Sequence, residues 1–212
     1  MTHRYYSLLF ILLFSLSQMS CGGGSQPGAP GSHGDTGVIL DATVIPFYNG
    51  ANTSNVDVVQ DICDPGPPPV VEIFTDHGAT VTVAATLLSP TINVQPGTLF
   101  IEQYTVDYYR SSDSVGAPPI LSERRFDTVV ITPPAVGSTV PNLVTFSAML
   151  VDLPRKDQYL TDILSGQFNN PFALINNYTA VFTFYGKNQY GKDFSFTAST
   201  NFAIGHYDYC GG

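Results

Sequence analysis

Cysteine and histidine are scarce side chains capable of chemistry in this chain. There are three cysteines, Cys21, Cys63 and Cys210, and four histidines in 212 residues. A nucleophilic cysteine needs a histidine base beside it. His77 and His206 are available, but nothing in their spacing sets either against Cys63. His33 stands in a glycine-rich stretch with no second ligand nearby, so a solvated ring is expected there rather than a metal. Asp107, Asp113, Glu123 and Asp127 could gather oxygens around Ca²⁺. The alternative, a solvated acidic rim, is the expectation. His206 and Asp208 are two potential ligands beside the last cysteine, where a packing or surface role is expected.

The motifs that carry hydrolytic, metalloprotease and EF-hand chemistry do not occur. Gly186-x4-Gly191-Lys192 has the outline of a phosphate loop, but Asp193 replaces the Ser or Thr and the stretch joins two strands. Three cysteines without Cys-x-x-Cys-His exclude a covalently attached haem or a four-cysteine iron–sulfur cluster. The expectation is therefore no catalytic residue, no metal and no cofactor. A formal charge of −9 argues against nucleic acid and against docking on anionic lipid through a basic patch.

The first 37 residues read as an address. Tyr5 to Leu16 is apolar apart from Ser7 and Ser15. As a helix it would span about 18 Å, short of the roughly 30 Å of bilayer hydrocarbon, and it has the length of a signal-peptide core. Ser17-Gln18-Met19-Ser20-Cys21-Gly22 follows, and resembles the lipobox of bacterial lipoproteins. Ser20 and Gly22 fit that pattern; Gln18 and Met19 depart from it, since the family favours an aliphatic residue at the first position and a smaller one at the second.

The resemblance implies cleavage before Cys21 and lipidation of its thiol and amine. Several acyl chains (palmitate or similar) would hold it firmly in a membrane, with Gly22 directing it to the outer membrane. Ordinary secretory cleavage near Ser20 or Gly22, leaving Cys21 lost or free, is the alternative. The first twenty residues hold one basic and no acidic residue, so the body left after cleavage carries −10. Gly22 to Gly37 has little to bury and reads as a flexible tether, with ends roughly 20–25 Å apart on average.

From Val38 to Gly212 the chain reads as one β domain. Strand patterns cover Val38 to Pro46, Val70 to Phe74, Ala79 to Leu88, Phe100 to Arg110, Leu121 to Thr132 and Leu143 to Val151. Asp76-His77-Gly78 reads as a turn. In Phe100 to Arg110 the face bearing Phe100, Tyr104, Val106 and Tyr108 is expected to be the buried one. The clearest hairpin pairs Tyr178–Tyr185 with Phe194–Ile204 across Gly186 to Gly191. Asp152 to Gly166 reads as the one helix, with Pro154 near its start, Gly166 past its end, and Tyr159, Leu160, Ile163 and Leu164 in a narrow apolar stripe. It is expected to lie across the end of the fold.

These elements imply an all-β fold, an antiparallel two-sheet sandwich with one short helix. The run Tyr104 to Arg110 and the final hairpin resemble strands of immunoglobulin-like or fibronectin type III-like domains, over about residues 70–206. The chain has no Trp, so the buried Trp of antibody domains is missing. With Cys21 lipidated and the compartment oxidising, Cys63 and Cys210 are left to bridge. Two free thiols are the alternative.

The function expected is a non-catalytic, lipid-anchored envelope module that serves a structural role or binds a protein partner. A glycan-binding module, with tyrosines in place of Trp, and an envelope-acting hydrolase are the alternatives.

Overall fold

Alternation at a period of two puts every second side chain of a strand on the same face, and the last hairpin shows what that does. In the computed structural model, which describes residues 31–33, 36–89, 95–168 and 175–210, Tyr178, Ala180, Phe182 and Phe184 on one strand and Phe194, Phe196, Phe202 and Ile204 on its partner are all buried. Cys21, the leader and most of the tether lie outside the described residues.

Among the described residues, twelve strands and one helix follow in chain order. They are β1 (Gly31–His33), β2 (Val38–Tyr48), β3 (Ala51–Asn52), β4 (Asn55–Asp57), β5 (Ile62–Asp64), β6 (Val70–Val71), β7 (His77–Leu87), β8 (Leu99–Arg110), β9 (Glu123–Ile131), β10 (Asn142–Val151), α1 (Leu153–Leu164), β11 (Ile175–Asn188) and β12 (Asp193–Gly205). No helix among the described residues is long and apolar enough to cross a membrane.

The strands form two packed sheets. One has the order β1-β2-β7-β10, with β3 also on β2; the other runs β4-β12-β11-β8-β9. A small ribbon of β5 and β6 stands apart from both. All pairings are antiparallel except β4 on β12, which is parallel. The chain is therefore an all-β sandwich with a single described helix.

Aromatic side chains from both sheets meet between them. Phe184 of β11 stands edge-on to Phe146 of β10 at 5.7 Å and stacks on Phe196 of β12 at 4.9 Å. Two β8 tyrosines cross the gap with their hydroxyls: Tyr108 donates to the Leu150 carbonyl (2.6 Å), and Tyr104 accepts from the Met149 amide (2.8 Å). A buried hydroxyl without such a partner would cost about 1–3 kcal/mol, so these two bonds also fix how the sheets face each other.

The structure departs from the sequence reading in several places. The buried face of β8 changes along its length: Tyr104 and Val106 are buried as expected, but before them it is Leu99 and Ile101, while Glu102 is exposed. The reason is a bulge, seen as a register shift at Ile101/Gln103 against β9 and at Tyr185/Gly186 against β11. Gly186 is not part of the hairpin turn but of this bulge, where a Cβ would strike the Phe100 carbonyl. His77 and Gly78 open β7 instead of forming a turn. Of the stretch from Val70 to Phe74 only β6 is strand, because its one partner is the short β5. The packed core also reaches further back than residue 70, since Val38, Leu40 and Val44 of β2 are buried in it.

Helix α1 lies over one end of the sandwich. Asp152 caps its N-terminus by accepting from the Arg155 amide (3.1 Å). Tyr159 packs edge-on against Tyr178 of β11, and its hydroxyl takes a bond from Asn176 (2.8 Å). Lys156 is the other fully buried residue of the helix. It points towards the loops that follow β6.

Candidate functional site

The end of the sandwich beneath α1 concentrates the buried charge of the described residues. Asp57 at the end of β4, Glu72 just past β6, His77 at the start of β7 and Lys156 on α1 are all buried. Lys, Asp and Glu rarely go fully inside unless paired, so each needs an account of its polar atoms.

Lys156 donates to the Thr75 carbonyl at 2.7 Å, and its ammonium lies over the rings of Tyr48 (5.0 Å) and Phe74 (4.8 Å). Burial lowers its pKa to about 8, against the attraction of Asp57, Asp76 and Glu72. His77 stacks on Tyr48 with ring centres 5.3 Å apart, and its Nε2 bonds the Thr53 carbonyl at 2.9 Å. Burial lowers its pKa to about 4, so the ring is neutral near pH 7 and Nε2 is the donor.

Asp57 and Glu72 each keep one buried carboxylate oxygen without a partner, and burial first, then the neighbouring Glu72, raises the Asp57 pKa to about 6. Both also hold the C-terminal segment. Asp57 Oδ1 accepts from the Tyr207 amide (2.8 Å), and Glu72 Oε2 from the Tyr209 amide (3.1 Å).

Cys63 of β5 and Cys210 are joined by a disulfide, 147 residues apart in sequence with Cα atoms 5.1 Å from each other. It ties the β5–β6 ribbon to the C-terminal segment. Between ribbon, segment and the β2–β3 turn lies a cleft of 480 Å³, lined by Tyr48, Ala51, Val70, Val71, Ile73, Tyr209 and the disulfide, with Glu72 at its side. Its walls are largely apolar. Val70, Val71 and Ile73 are about half exposed there, and Ile62 on the same ribbon is exposed as well.

The other candidates from the sequence are scattered. His206 does not approach His77's ring partners; its Nε2 meets Asp61 Oδ2 at 2.8 Å near the surface, and that bond raises its pKa. Asp208 accepts from the Cys210 amide, and lies close to Glu72 and to the sulfur of Cys210, which the disulfide occupies. Asp107, Asp113, Glu123 and Asp127 each have separate neighbours. Asp107 accepts from Ser122, Asp113 from Asn177 and Ser114, and Asp127 from the Thr128 amide. Glu123 is buried between Arg125 and Arg155, whose guanidinium groups also reach Asp152. That network fixes β9 to the start of α1.

His77 makes a testable contribution to acid stability. Its folded pKa lies below the unfolded value of 6.5, so the unfolded chain takes up a proton first as pH falls. Stability is then present above pH 6.5 and lost between about 6.5 and 4, by roughly 2–3 kcal/mol. Asp57, with its raised pKa, works in the opposite direction over part of this window. The comparison of urea midpoints for wild type and His77→Gln from pH 7 to pH 4 separates the two. The variant should lose less on acidification, and parallel curves would refute the assignment.

Set against known protein families, curated proteins and solved structures, the chain finds no match in any of the three.

Proposed function

We propose that this chain is a lipid-anchored protein of the bacterial cell envelope whose sandwich is a non-catalytic binding module. It engages a protein partner through the cleft beside the disulfide. One observation carries the reading. The buried titratable groups at this end each commit one polar atom to the backbone, Lys156 to Thr75, His77 to Thr53, and Asp57 and Glu72 to Tyr207 and Tyr209, while Asp57 Oδ2, Glu72 Oε1 and His77 Nδ1 are buried inside. What remains for a visitor is an apolar wall with exposed Val70, Val71 and Ile73, the surface a protein segment would cover.

The finer fold assignment belongs with this proposal. The strand order β2-β7-β10 facing β12-β11-β8-β9 is compatible with the two-sheet, Greek-key arrangement of immunoglobulin-like and fibronectin type III-like domains. Such domains commonly present loops at their ends as contact surfaces. The lipobox-like Cys21 supplies the anchor in this reading, and the outer membrane is the proposed address.

The test is cross-linking and capture of the native protein from membranes, in wild type and in Val71→Asp/Ile73→Asp. Both side chains are exposed, so each change should move stability by no more than about 0.5 kcal/mol. The wild type should recover a defined partner that the double variant loses at an unchanged unfolding temperature. Cys21→Ala should leave the membrane fraction. Identical recovery by wild type and double variant would reject the cleft as the contact, and membrane retention of Cys21→Ala would reject the anchor.

A further inference from the structure

Asp57 and Glu72 hold two amides of one short strap, Tyr207 and Tyr209, and each is left with one buried oxygen that lacks a donor. Asp57 Oδ1 is taken by the Tyr207 and Val59 amides, and Glu72 Oε2 by the Tyr209 amide. Asp57 Oδ2 and Glu72 Oε1 are left, both buried and with no other donor. Two neighbouring ionised carboxylates out of water repel, whereas one proton between them supplies the missing donor.

The two partners stand on different parts of the fold. Asp57 ends β4, which is paired in register with β12 as part of the main sheet. Glu72 belongs to the ribbon side, where its amide bonds the Asp61 carbonyl (3.0 Å) and its carbonyl takes the Gln60 side chain (3.1 Å). The disulfide makes ribbon and C-terminal strap a single flap.

We propose that Asp57 and Glu72 form a proton-operated latch: one shared proton closes the flap of β5, β6 and residues 206–210 onto β4, and loss of that proton frees it. The latch does not depend on any partner at the cleft, although the flap forms two of the cleft's walls.

The direction follows from linkage. Asp57 holds its proton more tightly in the closed flap than in water, up to about pH 6 against an ordinary 3.8, so opening is favoured as pH rises through 6. Neighbouring charges modify this without reversing it. Lys156, facing the pair from α1, attracts both carboxylates, and with one shared proton the three groups are electrically neutral. Asp76 adds negative charge on the β7 side. Within the flap, His206 bonds Asp61, Asp208 lies by Glu72, and the phenols of Tyr207 and Tyr209 stay protonated because their pKa values are raised. His77 stays neutral throughout the range tested.

Amide hydrogen exchange of the full chain between pH 5 and pH 8, corrected for intrinsic rates, reads the latch directly. The Tyr207 amide, which crosses from flap to β4, should lose protection by about tenfold or more over that range. In Glu72→Gln the side-chain NH₂ can donate to Asp57 at any pH and the like charge is gone, so the loss of protection should shrink several-fold, with only the part due to burial of Asp57 left. His206 is present in both proteins, so its own titration cancels in the comparison. Carboxyl-carbon NMR of the wild type needs no variant: the Asp57 carboxyl should titrate near 6. Unchanged Tyr207 protection in wild type, an equal loss in Glu72→Gln, or an ordinary titration of Asp57 near 3.8 would overturn the latch. So would millimolar Ca²⁺ restoring protection at pH 8, since the pair would then be a cation site.

Discussion

Replacing Phe184 with alanine should cost about 3–5 kcal/mol, enough to bring a domain of ordinary stability close to unfolding. Phe184 is fully buried at the point where the two sheets meet. It packs against Phe196 on its own sheet, Tyr104 on the neighbouring strand at 5.8 Å, and Phe146 across the gap. These neighbours sit on three different strands, so no single side chain can relax into the void, and the cavity term adds to the lost transfer energy. Urea unfolding should show a lower midpoint at an unchanged slope. Phe126 on the edge strand β9 is 80% exposed, and its alanine variant should change stability by no more than about 0.5 kcal/mol. Equal effects at the two positions would mean the sheets do not pack as described.

The second large effect is expected on removing the Cys63–Cys210 bridge. A loop of 147 residues is among the longest a chain of this size can close. In the chain-entropy view its loss destabilises by roughly 4–5 kcal/mol. At about 2–4 °C per kcal/mol, the melting temperature should fall by about 10–15 °C on reduction and in Cys63→Ala/Cys210→Ala alike. Calorimetry with and without reductant checks this. A fall of only a degree or two would mean that the hydrogen bonds from Tyr207, Tyr209 and His206 already hold the strap.

Much of this architecture can be read from the residues. The final hairpin was legible because Phe and Tyr alternate with small or polar residues over its whole length. The helix was legible because Pro154, Gly166 and the stripe of Tyr159, Leu160, Ile163 and Leu164 agree, although Leu164 at the helix end is exposed and only the first three face the sandwich. The bulge in β8 was not, since it depends on how β9 and β11 register on either side of it. One part of the buried site left a local signal: Lys156 stands three, four and seven residues before Tyr159, Leu160 and Ile163, so a cation lies on the apolar stripe. Glu72 likewise interrupts the apolar run Val70-Val71-Glu72-Ile73-Phe74. That it shares the C-terminal strap with Asp57 could not be read, because a proline-rich loop separates them and only the folded chain sets Tyr207 on one and Tyr209 on the other.

The pairing of β1 with β2 has a mechanical consequence. β1 meets Val38 to Leu40 at the start of β2, whereas the cleft adjoins Tyr48 at its other end. Ten residues of strand, about 33 Å, separate the two. A tension applied between the chain before Gly31 and an object gripped at the cleft therefore runs along the strands. The three residue pairs of β1 would give way first, freeing Gly31 to Gly37 and roughly 25 Å of slack. Beyond that, β2 is loaded in shear against ten paired residues of β7, which must slip together rather than unzip. The fold thus offers a soft extension followed by a stiff stop, a shock absorber in series with its own leash.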